Sequence, residues 1–151
     1  MGKGTSQKPL KREFSAGGVV FKQGENTWLI IKPAGSNRWQ FPKGRIDDGE
    51  SSKNAALREV MEEGGVEASV VEKIGTQKYI YFWEGDRVFK TVTLYLMKYL
   101  KDGKHGHDKE VDETAFLPFQ EAHNRLTFDN DKKLLEKAKD LLGRGIQENL
   151  I

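Results

Sequence analysis

The chain has 151 residues, 36% hydrophobic and 32% charged, and its 25 Lys+Arg against 23 Asp+Glu leave a formal net charge of +2. That length suits one domain with one hydrophobic core, and the near balance of charge speaks against binding nucleic acid by bulk attraction, which would show a marked basic excess. Cysteine is absent, which removes a disulfide framework, a thiolate nucleophile and a Cys-ligated zinc or iron–sulfur site together.

No run approaches the roughly 18 to 20 apolar residues of a membrane span, and the first residues lack the apolar core of a secretory signal. The expectation is a cytoplasmic protein with no membrane and no nucleic-acid partner. Residues 1–12 read as a flexible leader and residues 13–151 as a single domain. Met1-Gly2-Lys3-Gly4-Thr5-Ser6 fits the loose N-myristoylation pattern, although such a Gly/Ser/Lys leader is more commonly an unstructured tail.

Phe14-Ser15-Ala16-Gly17-Gly18-Val19-Val20-Phe21 predicts a strand whose glycines mark a bulge or a close backbone approach. Gly24-Glu25-Asn26 turns it into a second strand, Thr27-Trp28-Leu29-Ile30-Ile31. A loop then leads to a short extended piece, Trp39-Gln40-Phe41-Pro42-Lys43-Gly44, and Asp47-Asp48-Gly49 forms another turn. Ser51 or Ser52 caps a helix through Ala55, Ala56, Leu57 and Val60 that stops at Gly64-Gly65, where a left-handed residue is cheap. Residues 67–74, 77–83 and 87–99 are rich in Val, Ile, Tyr, Phe and Thr and read as three strands, with Glu84-Gly85-Asp86 as the turn between the last two. Residues 101–112 read as a mobile polar loop and 114–118 as a last strand. From Asp129 to Leu142, residues Leu134, Leu135, Ala138, Leu141 and Leu142 form the stripe of an amphipathic core helix ended by Gly143. Strands with two separated helices predict a mixed α+β sandwich rather than a doubly wound sheet.

At about 100° per residue, Glu59, Glu62 and Glu63 fall within an arc of roughly 100° with Ala55 near its middle. Two such charges at about 4 Å repel by roughly 4 kcal/mol where the effective dielectric is near 20, so something cationic belongs there. Arg58 borders the arc but is expected to neutralise only one charge. A hard divalent cation takes oxygen ligands from several carboxylates at once, and Ala55 would leave room for it. The competing reading is a solvated acidic face.

The spacing from Gly44 decides between them. Gly44-(x5)-Glu50-(x7)-Arg58-Glu59-Val60-Met61-Glu62-Glu63-Gly64-Gly65-Val66 matches the Nudix box at every defined position. Together with the flanks Ala16-Gly17-Gly18-Val19-Val20 and Trp39-Gln40-Phe41-Pro42-Lys43-Gly44, it resembles the Nudix hydrolases from about Glu13 to Leu142. The resemblance implies a Nudix-type α/β/α sandwich with a mixed sheet, the catalytic loop-helix and a C-terminal helix. It also implies Mg²⁺, with Mn²⁺ as a substitute, held by Glu59, Glu62, Glu63 and the Gly44 carbonyl, while Glu50 and Arg58 form an orienting pair. Direct water attack on phosphorus needs cations to neutralise the oxygens and a group to take a proton. Glu59 is the first candidate for that group by analogy, and Glu110 the second.

Outside the box, Trp39 to Gly44, Tyr79, Tyr81 and Phe82, Lys90-Thr91-Val92, and Glu110 ahead of Phe116-Leu117-Pro118-Phe119 resemble the asymmetric diadenosine tetraphosphate hydrolases, which split Ap4A into ATP and AMP. Adenine stacks on an exposed Tyr for about 1 to 3 kcal/mol. Tyr79 and Tyr81 share one strand face and serve either stacking or packing. Lys43, Arg45, Lys78 and Lys90 are candidate phosphate contacts, with Arg38 adding a fork; His105 and His107 either reach phosphate or lie in a solvated loop. The expected partner is a small-molecule nucleotide, bound by a monomer or homodimer. A MutT-like nucleoside triphosphate pyrophosphatase is the strongest competitor among enzymes, and a non-catalytic nucleotide-sensing module comes from a different class.

Overall fold

The computed structural model of the chain describes residues 10–149, with side chains to residue 145. The Met1–Ser6 pattern lies outside them. In chain order the elements are β1 (Lys11–Lys22), β2 (Thr27–Pro33), β3 (Lys43–Arg45), α1 (Ser52–Gly64), β4 (Val66–Trp83), β5 (Asp86–Asp102), β6 (Val111–Leu117), α2 (Phe119–Arg125) and α3 (Asp129–Asn149). No helix among the described residues is long and apolar enough to cross a membrane.

The strands make one six-stranded mixed sheet in the order β4-β5-β1-β2-β6, with β3 pairing β1 off that path. β1 runs parallel to β5 from Lys11↔Val88 to Phe21↔Lys98. Its other edge is shared between β2, at Phe21↔Trp28, and β3, from Ser15↔Arg45 to Gly17↔Lys43. This sharing explains the glycine pair: a Cβ on Gly17 would overlap the Pro42 carbonyl oxygen, and the Gly18 N–H donates to that same oxygen at 3.1 Å.

Because strand side chains alternate, neighbouring residues feed two cores. Val19, Ile30 and Leu96 pack with Leu126, Leu135 and Ala138 under α2 and α3. Val20, Leu29 and Met97 pack with Ala55, Ala56 and Val60 of α1 on the opposite face. The result is the expected α+β sandwich of helix, sheet and helix.

Several boundaries differ from the sequence reading. Residues 67–83 are one strand rather than two, because register shifts at Glu67/Ala68, Val70/Glu72 and Lys73/Gly75 absorb Gly75 without breaking the ladder. β1 begins at Lys11, inside the expected leader. Helix α2 was not foreseen, and α3 continues through Gly143 and Gly145 to Asn149. The loop expected over 101–112 is shorter and is tied to the end of α1: the Gly103 N–H donates to the Gly65 carbonyl at 2.8 Å and the Asp108 N–H to the Glu62 carbonyl at 2.7 Å.

Candidate active site

Helix α1 is fixed at both ends by its own sequence. Ser51 is the N-cap, its hydroxyl accepting from the Asn54 N–H at 3.1 Å. Gly65 ends the helix at φ 73°, a left-handed conformation suited to glycine, and its N–H returns to the Met61 carbonyl at 3.0 Å. Between the caps, Ala55, Ala56, Val60 and Gly64 face the core and carry Glu59 with them into burial, while Glu62 stays exposed and Glu63 is half-buried. Ala55 therefore belongs to the apolar core rather than to space kept for a cation. The acidic arc and the buried face overlap, which a helical wheel without knowledge of the core direction does not reveal.

Arg58 engages more than the single charge expected of it. Its Nε and Nη2 donate to Glu50 Oε2 and Oε1 at 2.8 and 2.9 Å, and Nη1 donates to Glu59 at 2.8 Å and Glu62 at 3.2 Å. Nη2 also donates to the Arg45 carbonyl at 2.9 Å. The guanidinium thus clamps α1 to the loop after β3, as a planar fork can and a lysine cannot. These bonds, with the Asp47 N–H, hold the Glu50 carboxyl down at about 2. The bonds it donates to Glu50 and Glu59 raise Arg58 further above its ordinary range.

On the opposite edge of the acidic stripe Glu63 makes no ion pair among the described residues, although its charge is felt at the buried Lys43 ammonium. Glu63 Oε1 accepts from the Lys43 N–H at 2.9 Å, yet burial pushes its carboxyl up to about 7, with the charges of Glu59, Asp108 and Glu110 adding to the rise. Burial also raises Glu59, despite Arg58 beside it. Its carboxylate lies directly against Gly44, where any Cβ would overlap it. Asp108, which the sequence reading passed over, is brought to the helix by the backbone bond to Glu62 and in turn accepts from the Glu110 N–H at 2.9 Å.

Among the described residues no three His, Asp or Glu side chains are already gathered at ligand distance; the Arg58 contacts to Glu59 and Glu62 occupy that role. The residues nonetheless fit a hard divalent cation in donor type and charge. Carboxylate oxygens from Glu59, Glu62 and Glu63 and the Gly44 carbonyl supply the hard donors, and the missing Cβ at Gly44 leaves Glu59 its place.

The expected substrate contacts fall into two groups. Arg45, Tyr79, Tyr81 and Lys90 line a shallow depression of about 530 Å³ with Trp83. Glu13, not singled out from sequence, binds them together: it accepts from Arg45 Nε at 3.1 Å and from the Tyr81 hydroxyl, with Lys90 Nζ at 3.8 Å. Lys43 instead lines a separate cavity of about 300 Å³ with Gln77, Tyr79, Phe128, Asn130 and Asp131, and burial lowers its ammonium below the usual range. Arg38 is exposed, and its charge is felt at Lys43. Lys78 is exposed and alternates to the strand face opposite Tyr79. His105 and His107 are exposed, lining a hollow of about 640 Å³ beside Arg58 and Glu62.

The NUDIX domain pattern matches residues 11–138. The chain belongs to the Nudix family. Over 150 aligned residues it is 34% identical to the "Putative mutator protein MutT4" of Mycobacterium tuberculosis (strain CDC 1551 / Oshkosh), an alignment covering 94% of this chain and 60% of that protein. An "8-oxo-(d)GTP phosphatase" of Mycolicibacterium smegmatis is 31% identical over 66% of this chain and 29% of its own length. The chain therefore spans less than two thirds of the length of each of these relatives, 60% of one and 29% of the other. Among solved structures, a NUDIX hydrolase from Nitrosomonas europaea superposes with a TM-score of 0.69 at 16% identity, covering 86% of this chain and 90% of that one. An Ap4A hydrolase binary complex from C. elegans does so at 0.65 and 21% identity, covering 87% and 98%. At such identities these two share the Nudix fold.

Proposed function

We propose that this Nudix chain hydrolyses a nucleoside polyphosphate by direct attack of water on phosphorus, with no covalent intermediate, and that its substrate is a nucleoside triphosphate. The observation that carries the reading is the acidic cluster along one side of α1, where Glu59 lies against Gly44, Glu63 accepts from the Lys43 N–H, and Asp108 is tied to the Glu62 carbonyl and to the Glu110 N–H. Glu59, Glu62, Glu63 and the Gly44 carbonyl would hold Mg²⁺, with Mn²⁺ as a substitute. Bound there, the ion would neutralise phosphate oxygens and lower the pKa of the attacking water. Glu59, raised by burial and seated against Gly44, takes the proton, and Glu110 on the neighbouring loop is the alternative acceptor. Glu50 and Arg58 keep the loop and helix in register.

The preference for a triphosphate rests on the aromatic cavity beside Lys43, together with the similarity to a mutator-type relative. A dinucleoside tetraphosphate is the second reading, favoured by the separate depression at Tyr81 and Trp83, where another base could stack. Chromatography of products separates the two. A triphosphate releases a nucleoside monophosphate and pyrophosphate, whereas Ap4A releases ATP and AMP. Faster turnover of Ap4A at equal concentration would overturn the first reading, and no turnover of either with Mg²⁺ would overturn both.

A further inference from the structure

The connection between α2 and α3 is pinned to the segment before β3 through Thr127. Its Oγ1 accepts from the Trp39 N–H at 2.8 Å, and its own N–H donates to the Trp39 carbonyl at 3.0 Å. Both polar backbone groups of Trp39 therefore end on a residue 88 positions away in sequence. Arg125 lies over the Trp39 ring at 5.3 Å, and that ring packs on the core beneath α2 and α3.

Phe128 follows directly. Its carbonyl accepts from the Asp131 and Lys132 N–H groups at the start of α3, each at 3.1 Å, and its ring, 44% exposed, borders the cavity beside Lys43 together with Tyr79. A ring so exposed has little packing of its own, so its place at the cavity is set by its backbone. The far end of the pinned segment is secured separately. Gln40 and Ile31 exchange two backbone bonds at 2.9 and 2.8 Å, the Pro42 carbonyl accepts from the Gly18 N–H, and the Lys43 N–H donates to Glu63. Residues 40–44 thus keep the Gly44 carbonyl beside the acidic stripe without the Thr127 hydroxyl.

We propose that Thr127 is a positioning residue for the nucleoside end of the substrate: its hydroxyl, through Trp39, holds the Phe128 ring where it stacks on the base, and it leaves the phosphate end alone. Stacking on one aromatic ring is worth about 5- to 150-fold in affinity, and a ring that wanders forfeits part of that. Thr127→Val keeps the branched shape and the backbone bond to Trp39 but removes the acceptor, whereas Thr127→Ser keeps the acceptor. Thr127 and Phe128 are both exposed, so substitutions there empty no core. The inference rests on the nucleotide reading of the cavity above but not on turnover.

Calorimetric titration of AMP and GMP, and of inorganic tripolyphosphate with Mg²⁺, into the full chain tests it. Thr127→Val is expected to bind the tighter of the two nucleotides at least about threefold more weakly than wild type, with Thr127→Ser restoring the affinity and tripolyphosphate binding as in wild type. Phe128→Ala should weaken the nucleotide at least as much, and Thr127→Val added to it should cost nothing further, because the hydroxyl acts through the ring. Unchanged nucleotide affinity in Thr127→Val, an equal loss for tripolyphosphate, or full additivity with Phe128→Ala overturns the inference while leaving hydrolysis untouched. Wild-type protein that binds neither nucleotide overturns it together with the nucleotide reading. The expected pattern without turnover of any polyphosphate supports it and counts against the hydrolytic reading alone.

Discussion

Gly44 and Glu59 occupy each other's space: the carboxylate of Glu59 lies where a side chain on residue 44 would begin. The overlap involves the far end of a flexible side chain, so the backbone can tolerate a methyl group there while the carboxylate cannot keep its place. Gly44→Ala is therefore expected to leave the melting temperature nearly unchanged and to lower kcat roughly 10-fold or more, a loss of one well-placed ligand. Gly17→Ala, whose Cβ would meet the backbone oxygen of Pro42, should instead destabilise the fold. Thermal melts beside kinetics would show the contrast, and parallel losses in both variants would contradict it.

Glu62→Gln and Glu63→Gln each remove a proposed ligand from a position outside the apolar core. Each is expected to lower kcat by about 10²-fold with a cooperative melt retained. Unchanged turnover in either purified variant would count against the role given to that residue.

Mg²⁺ at millimolar concentration should raise the melting temperature of the metal-free protein, by mass action on the folded state. The rise should be larger at pH 8 than at pH 5.5. Glu63, pushed up to about 7, holds its proton at the lower pH, and a ligand must lose it to bind. An equal shift at both values would show that Glu63 takes no part.

Glu50 is shifted in the opposite direction, and its contribution is lost at a lower pH. Its carboxyl is held at about 2 in the folded protein, against 4.5 for the unperturbed group. Between those values the unfolded chain binds more protons, so the stabilisation by Arg58 is fully present above about 4.5 and lost as pH falls towards 2. Glu50→Gln should flatten the melting temperature against pH within that window; a slope identical to wild type would contradict the pairing.

How far these residues could be read from sequence depended on whether their environment is local. Ser51 and Gly65 announce α1 because capping is settled within one turn. The Gly44 to Val66 spacing places the acidic residues because they share that helix and its approach loop. The unbroken β4 was hidden because bulges change the alternation that marks a strand, and Gly75 looked like a break. Helix α3 passes Gly143, where a stop was expected. Arg58 was underestimated because its partners arrive from the 47–50 loop as well as from its own helix. Glu13 and Asp131 carried no local signal: one is a strand residue and the other an ordinary first-turn acid. The pairing of β1 with β3 and, through β5, with β4, and the packing of α3 over β4, give them Arg45, Tyr81 and Gln77 as neighbours.

The central claim is that the acidic stripe of α1 gathers a divalent cation. Anomalous diffraction from crystals soaked in Mn²⁺ tests it most directly. The account predicts one strong peak at ligand distance, roughly 2.1 to 2.2 Å, from oxygens of Glu59, Glu62 and Glu63 and the Gly44 carbonyl, with Arg58 still on Glu50. No peak at the helix in soaked crystals, with Glu59 and Glu62 still held by Arg58 and Glu63 without a metal neighbour, would contradict it.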